Sequence, residues 1–264
     1  MPHPEPFANL DAQWHETLAW QPSALQLQQL AQLYELVLTG NQKQNLTRIT
    51  EPTEFWEKHL WDSLRALLPV WPQATESWQV LDIGTGAGFP GLPMAIAFPN
   101  WQITLLDSRQ KKIAFVNEAI AALNLTNAQG IAARAEALHP ISEQVAPKLT
   151  ASKKNHGGKI KGKAKPDQSI PPQAVSQATP QYDLITLRAV ANVAQCLGYA
   201  LPLLKPSGRV ILYRGQWQET TPTERAEILA QVNRSIHKPI TLEVDQFLTP
   251  LTQSERHCLH GIHQ

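Results

Sequence analysis

Three glycines alternate through Asp82-Ile83-Gly84-Thr85-Gly86-Ala87-Gly88, and a carboxylate stands two residues before the first of them. Without a Cβ, such a loop can turn sharply and lie against a ligand, with the free N–H groups of a following helix nearby. A second carboxylate, Asp107, ends the apolar run at 102–106, a place from which an acid reaches ribose hydroxyls. Together these residues describe a nucleotide-type cofactor site. Glycine spacing alone also occurs in turns that bind nothing, so the flanks decide. A dinucleotide fold prefers G-x-G-x-x-G, with the pyrophosphate on the helix N-terminus. Here the spacing is G-x-G-x-G, and an acid beside a pyrophosphate is repelled at short range. The pattern suits a cofactor with an α-amino group and no phosphate, S-adenosylmethionine, with NAD as the alternative.

The elements that must position these groups follow from hydrophobic period. Residues 78–83 read as a buried parallel strand, 92–98 as a helix and 102–106 as a second strand. Residues 109–123 form an amphipathic helix with Ile113, Val116, Ile120 and Leu123 on one side. A third strand at 128–132 runs into Arg134-Ala135-Glu136, and a fourth at 182–187 leads to Arg188 and a helix over 190–204. Pro206-Ser207-Gly208 turns the chain into a fifth strand at 209–213, a helix covers 224–232, and the last strands are 240–247 and 256–262. Alternating strands and helices imply a doubly wound parallel sheet. The last two strands have only a short link, so they pair as a hairpin and the final strand runs antiparallel. The expected fold is an α/β, Rossmann-like class I methyltransferase: a seven-stranded, mostly parallel sheet with an antiparallel end strand.

Ahead of that domain, 1–21 is a Pro-dotted arm expected to be loose, with a few anchoring aromatics. Pro22-Ser23 opens a helix in which Leu27, Leu30, Tyr34 and Val37 recur, and Gly40-Asn41 closes it. A second helix, capped by Thr50 with Pro52 in its first turn, carries Phe55, Trp56, His59 and Leu60 to about residue 68. The division is then an N-terminal arm and helical cap at 1–72 and the methyltransferase domain at 73–264.

Composition removes other classes. Cys196 and Cys258 lie far apart without metal-ligand spacing, which fits a reduced, cytoplasmic protein. There is no apolar run of membrane-spanning length and no signal-peptide pattern. A net charge of +1 argues against a strongly basic nucleic-acid binder. That total is uneven: in 143–180 seven lysines face only Glu143 and Asp167, giving +5 and leaving −4 elsewhere. Almost nothing apolar recurs there, so an unordered insertion is expected. His257, His260 and His263 are three apart on a strand, face opposite sides in turn, and are not expected to hold a metal.

The run Asp82-Ile-Gly-Thr-Gly-Ala-Gly-Phe-Pro-Gly-Leu-Pro93, with Thr104-Leu-Leu-Asp-Ser108, Ala135-Glu136 and Leu187-Arg-Ala189, resembles the RsmG family, also called GidB. These are bacterial 16S rRNA guanine-N7 methyltransferases. Asn45-Leu-Thr47 and His59-Leu-Trp-Asp-Ser-Leu64 are similar to that family's N-terminal region, and the resemblance runs over about 25–218 apart from the lysine-rich insertion. It implies that Gly84 and Phe89 line the methionine and adenosine parts of the cofactor. Asp107, Ser108 and Arg109 hold the ribose and neighbouring groups, and Ala135 and Glu136 flank the adenine. Arg188 is the arginine at the mouth of the site, able to hold a guanine oxygen or a phosphate.

An amine-methylating enzyme commonly carries an Asn/Asp-Pro-Pro-aromatic turn after the fourth strand, and Thr186-Leu-Arg-Ala189 has none. Guanine N7 has a free lone pair and needs no base, so no catalytic acid or base is assigned. The expected partner is 16S rRNA in the small ribosomal subunit or an assembly intermediate, met by a monomer. Lys43, Arg48, Lys58, Arg65, Lys111 and Lys112 are the candidates for a basic face, while His59 and Asp62, spaced to pair on a helix surface, either bear on RNA or only pack the cap onto the core. A methyltransferase of a small molecule or protein, and an NAD-binding protein, are the alternatives.

Overall fold

Side chains alternate along Gln79–Ile83 (β1), so Val80 joins the apolar cluster on one sheet face while Leu81 and Ile83 join the other. The same period runs through Gln102–Asp107 (β2), Ala128–Ala132 (β3), Tyr182–Arg188 (β4) and Leu204–Gly215 (β5). The computed structural model describes residues 6–138, 181–215 and 240–263, with four further positions between 223 and 230. Ile240–Leu248 (β6) and Glu255–His263 (β7) complete a seven-stranded sheet of order β3-β2-β1-β4-β5-β7-β6. The first five strands pair in parallel. The last strand, β7, runs antiparallel to both its neighbours, as its short link to β6 demands, and it slots between β5 and β6.

Asp11–Leu18 (α1), Ala24–Asn41 (α2), Gly91–Ala97 (α5) and Gln110–Ala122 (α6) cover one face, and Val193–Ala200 (α7) covers the other. α2 opens with a capping box between Ser23 and Gln26. From residue 6 onward the arm is more ordered than expected. Burial of Phe7, Trp14 and Leu18 pins α1, and the Trp14 and Trp56 rings sit 4.7 Å apart.

The second cap helix departs from its expected form. Its N-cap is Glu51, whose carboxylate accepts from Glu54 N at 2.8 Å, rather than Thr50. It begins as Pro52–Phe55 (α3), widens into a π-helical turn at Trp56–Trp61, and resumes as Asp62–Arg65 (α4). Asp62 N–H bonds the Glu57 carbonyl, five residues back. Tertiary bonds hold this shape. Glu57 is fully buried, and its carboxylate accepts from Leu251 N, Thr252 N and Thr252 Oγ1 at 2.7, 2.8 and 2.6 Å in the β6–β7 turn. Tyr213 Oη donates to Ser63 O at 2.7 Å, and Arg65 grips Asp245 with both terminal nitrogens at 2.8 and 3.3 Å. The cap and the sheet therefore share one apolar cluster.

α7 starts at Val193 rather than 190, because the Asn192 side chain caps it, accepting from Gln195 N at 2.9 Å. The turn expected at Pro206-Ser207-Gly208 lies inside β5, with Ser207 at φ 62°. The lysine-rich 143–180 expectation and most of the expected 224–232 helix lie outside the described residues. Among the described residues no helix is long and apolar enough to cross a membrane.

Candidate functional site

The turn between β1 and α5 is tied to the tip of β2, with Gly84 N and Thr85 N both donating to Leu106 O at 2.7 and 3.0 Å. Gly84 has φ +73°, and a Cβ there would meet Val190 Cγ2 at 2.6 Å. Gly86 has φ +61°, but its added Cβ would find only Gly84 O at 3.9 Å, so backbone conformation rather than crowding requires glycine.

Asp82, the acid read as a complement to the cofactor's amino group, does other work. It is fully buried beneath the turn, where Oδ2 accepts from Gly91 N and Oδ1 from Thr186 Oγ1, each at 3.0 Å. Burial pushes its carboxyl up to about 6, against the pull of its hydrogen bonds. It braces the first turn of α5 from below.

Above the turn lies a cavity of about 370 Å³ at the carboxyl ends of β1, β2, β3 and β4. This is the point where the strand order reverses, the usual ligand crevice of an open α/β sheet. Gly84, Asp107, Ser108, Arg109, Ala135 and Glu136 line it, six of the eight positions expected from sequence. Asp107 is 5% exposed; Oδ2 accepts from Gly86 N at 3.0 Å and Oδ1 from Arg109 N at 2.9 Å and Arg109 Nε at 3.3 Å. A carboxylate oxygen has two lone pairs; Arg109 takes both of those on Oδ1, so Oδ2 keeps one open to a hydroxyl. Sequence reasoning missed Arg134, Val190 and Tyr199 in the lining. Arg134 stood beside the Ala135-Glu136 motif and was within reach; Tyr199 enters from α7 with no local signal.

Phe89 and Arg188 are not among the lining residues. Phe89 is buried, stacked on the His59 imidazole (4.5 Å, 11°) and edge-on to Phe55 at 5.6 Å. Arg188 Nη2 donates to Lys58 O and pairs with Asp62 Oδ2 at 3.3 Å. His59 and Asp62 are therefore no surface pair. Asp62 also faces Arg256 Nε at 3.9 Å, and His59 Nε2 meets Thr47 Oγ1 at 2.8 Å. Burial, with the Arg188 and Lys58 charges, drives His59 down to about 3, so its ring is neutral at working pH. His59 Nδ1 and Arg188 Nη1 are shielded and have no hydrogen-bond partner among the described residues.

The six candidate cations divide. Lys58 pairs with Glu54, Arg65 with Asp245, and Lys112 Nζ donates to Asn45 O at 2.6 Å. Lys43, Arg48 and Lys111 are exposed and in no ion pair among the described residues. The Lys112–Asn45 bond fastens the 42–50 loop to the start of α6, beside Arg109 at the cavity. Among the described residues there is no group of three or more His, Cys, Asp or Glu able to hold a metal ion.

The chain matches the family model GidB, rRNA small subunit methyltransferase G, over residues 26–148 and 167–246. It is 44% identical over 253 residues to the ribosomal RNA small subunit methyltransferase G of Microcystis aeruginosa (strain NIES-843 / IAM M-2473), covering 94% of each chain. The protein of the same name from Gloeobacter violaceus (strain ATCC 29082 / PCC 7421) is 44% identical over 248 residues, with 94% of this chain and 82% of that one covered. A solved O-methyltransferase from Bacillus cereus, in complex with SAH, is similar in fold at TM-score 0.54 and 14% identity, with 98% of each chain covered.

Proposed function

The chain belongs to the rRNA small subunit methyltransferase G family, and from that premise we propose that it transfers the methyl group of S-adenosylmethionine to N7 of a guanine in 16S rRNA. The substrate in this reading is the small ribosomal subunit or an assembly intermediate, met in the cytoplasm by a monomer. Residues 1–72 act as the cap and 73–264 as the domain that holds the donor.

The observation that carries the reading is the cavity at the strand-order reversal, floored by Gly84 and edged by Asp107. Its volume of about 370 Å³ falls in the ~300–1,000 Å³ range of ligand pockets. An acid at the end of β2 suits ribose hydroxyls, and the glycine turn leaves backbone open to a ligand. The residues present therefore fit the cofactor. Asp107 would hold the ribose, with Gly84, Ser108 and Arg109 around the neighbouring groups and Ala135 and Glu136 beside the adenine. When bound, the cofactor supplies a methyl activated by a sulfonium.

The protein's share is alignment and exclusion of water. Guanine N7 presents its lone pair in the neutral base, so no side chain need take a proton. Arg188, whose guanidinium only donates and whose Nη1 has no partner among the described residues, can hold an oxygen of the target nucleotide. Lys43, Arg48 and Lys111, all exposed, suit the phosphates of a structured RNA.

The test incubates the protein and labelled S-adenosylmethionine with small subunits from cells lacking the gene, then maps the label by N7-selective cleavage. Label at one guanine N7 is expected. Label on an exocyclic amine, a ribose or a protein would refute the reading.

A further inference from the structure

Arg188 ends β4 beside the tip of β1, where its neighbour Leu187 pairs with Ile83, the residue that enters the glycine turn and lines the cavity. Its side chain turns toward the cap. One terminal nitrogen, Nη2, serves both Lys58 O and Asp62 Oδ2, and both acceptors come from the same irregular helix. Lys58 lies inside its π-helical turn, a form found frequently at functional sites, and Asp62 opens the α-helical turn after it. Asp62 is 6% exposed and packed between Arg188 and Arg256. The other terminal nitrogen of Arg188, Nη1, is shielded and unpartnered among the described residues. A shielded donor without an acceptor costs free energy that an incoming oxygen can recover.

We propose that Asp62 is a positioning residue for the methyl transfer. Together with the Lys58 carbonyl it holds the Arg188 guanidinium by one nitrogen and so keeps the other for an oxygen acceptor of the target nucleotide. The inference rests on the function proposed above. A guanidinium is planar and has no acceptor, so a carboxylate fixed on one edge sets the direction of the remaining donors. Without it, the long side chain spreads over rotamers and the target loses a preset contact.

The experiment uses the full-length protein, small subunits lacking the methyl, and labelled S-adenosylmethionine. It measures kcat, cofactor KM and melting temperature for wild type, Asp62→Asn, Arg188→Gln and the double variant. Asp62→Asn is expected to lower kcat on the order of 10-fold while cofactor KM stays within about threefold, a split that general loosening would not give. The double variant is expected to match Arg188→Gln within about twofold, because Asp62 acts only through the guanidinium. If Asp62→Asn melts below the assay temperature, the double variant, in which both charges are gone, still decides against Arg188→Gln. Asp62→Asn with wild-type kcat, or a double variant slower than Arg188→Gln on the order of 10-fold, overturns this inference alone. A wild-type protein that leaves the particle unlabelled overturns it together with the proposed function.

Discussion

Gly86 donates its backbone N–H to Asp107 Oδ2 at 3.0 Å, so the glycine turn and the acid ending β2 move as one unit. In the proposed site, loss of Asp107 removes the ribose contact and slackens the turn together. Asp107→Ala is expected to weaken S-adenosylmethionine binding by about 1–3 kcal/mol in a calorimetric titration. Asp107→Asn, which keeps one acceptor for Gly86, should lose less. Wild-type affinity in a folded Asp107→Ala protein would remove the ribose role.

The glycines of the turn are required for different reasons, and substitution should separate them. An alanine at Gly84 must clash with Val190 at 2.6 Å and also accept φ +73°. An alanine at Gly86 has open space and meets only the left-handed backbone, a strain of roughly 1–2 kcal/mol. Gly86→Ala is expected to melt lower yet still bind cofactor measurably, whereas Gly84→Ala should not bind. Val190→Ala should restore part of the Gly84→Ala loss. Equal binding by the two single variants would show that crowding by Val190 does not shape the site.

Asp82 should leave a signature in the pH dependence of stability. Its folded carboxyl titrates at about 6, above the ordinary 3.8, so the unfolded chain gives up this proton first as pH rises. The stabilising contribution of this group is complete below 3.8 and is lost as pH rises through 6. Relative to Asp82→Asn, the wild type should lose about 3 kcal/mol between those limits. Urea unfolding of both proteins at a series of pH values reads the difference directly. A difference that stays flat from pH 4 to 7 would mean that Asp82 remains ionised in the fold.

The glycine turn, the five parallel strands and the terminal hairpin were legible in the chain because each rests on short-range chemistry. Period-2 burial, positive φ at glycines and the length of a link are all written within a few residues. The same holds for Asp107, which sits on a strand end, whereas Ser108, Arg109, Ala135 and Glu136 came from the family resemblance. Asp82 and Arg188 were visible as charges beside the site, but a charge does not say which way it faces. Asp82 points down because Gly91 N and Thr186 Oγ1 wait beneath the turn, one of them 104 residues away. Arg188 turns to the cap because Asp62 and Lys58 O, about 130 residues earlier, meet it there. The π-helical turn and the buried Glu57 likewise depend on partners about 195 residues distant in the β6–β7 turn. Tyr199 reaches the cavity only because α7 packs across the sheet. Pairings at such separations form only when the whole sheet has closed, since no local pattern carries them and burial then decides which polar groups must meet.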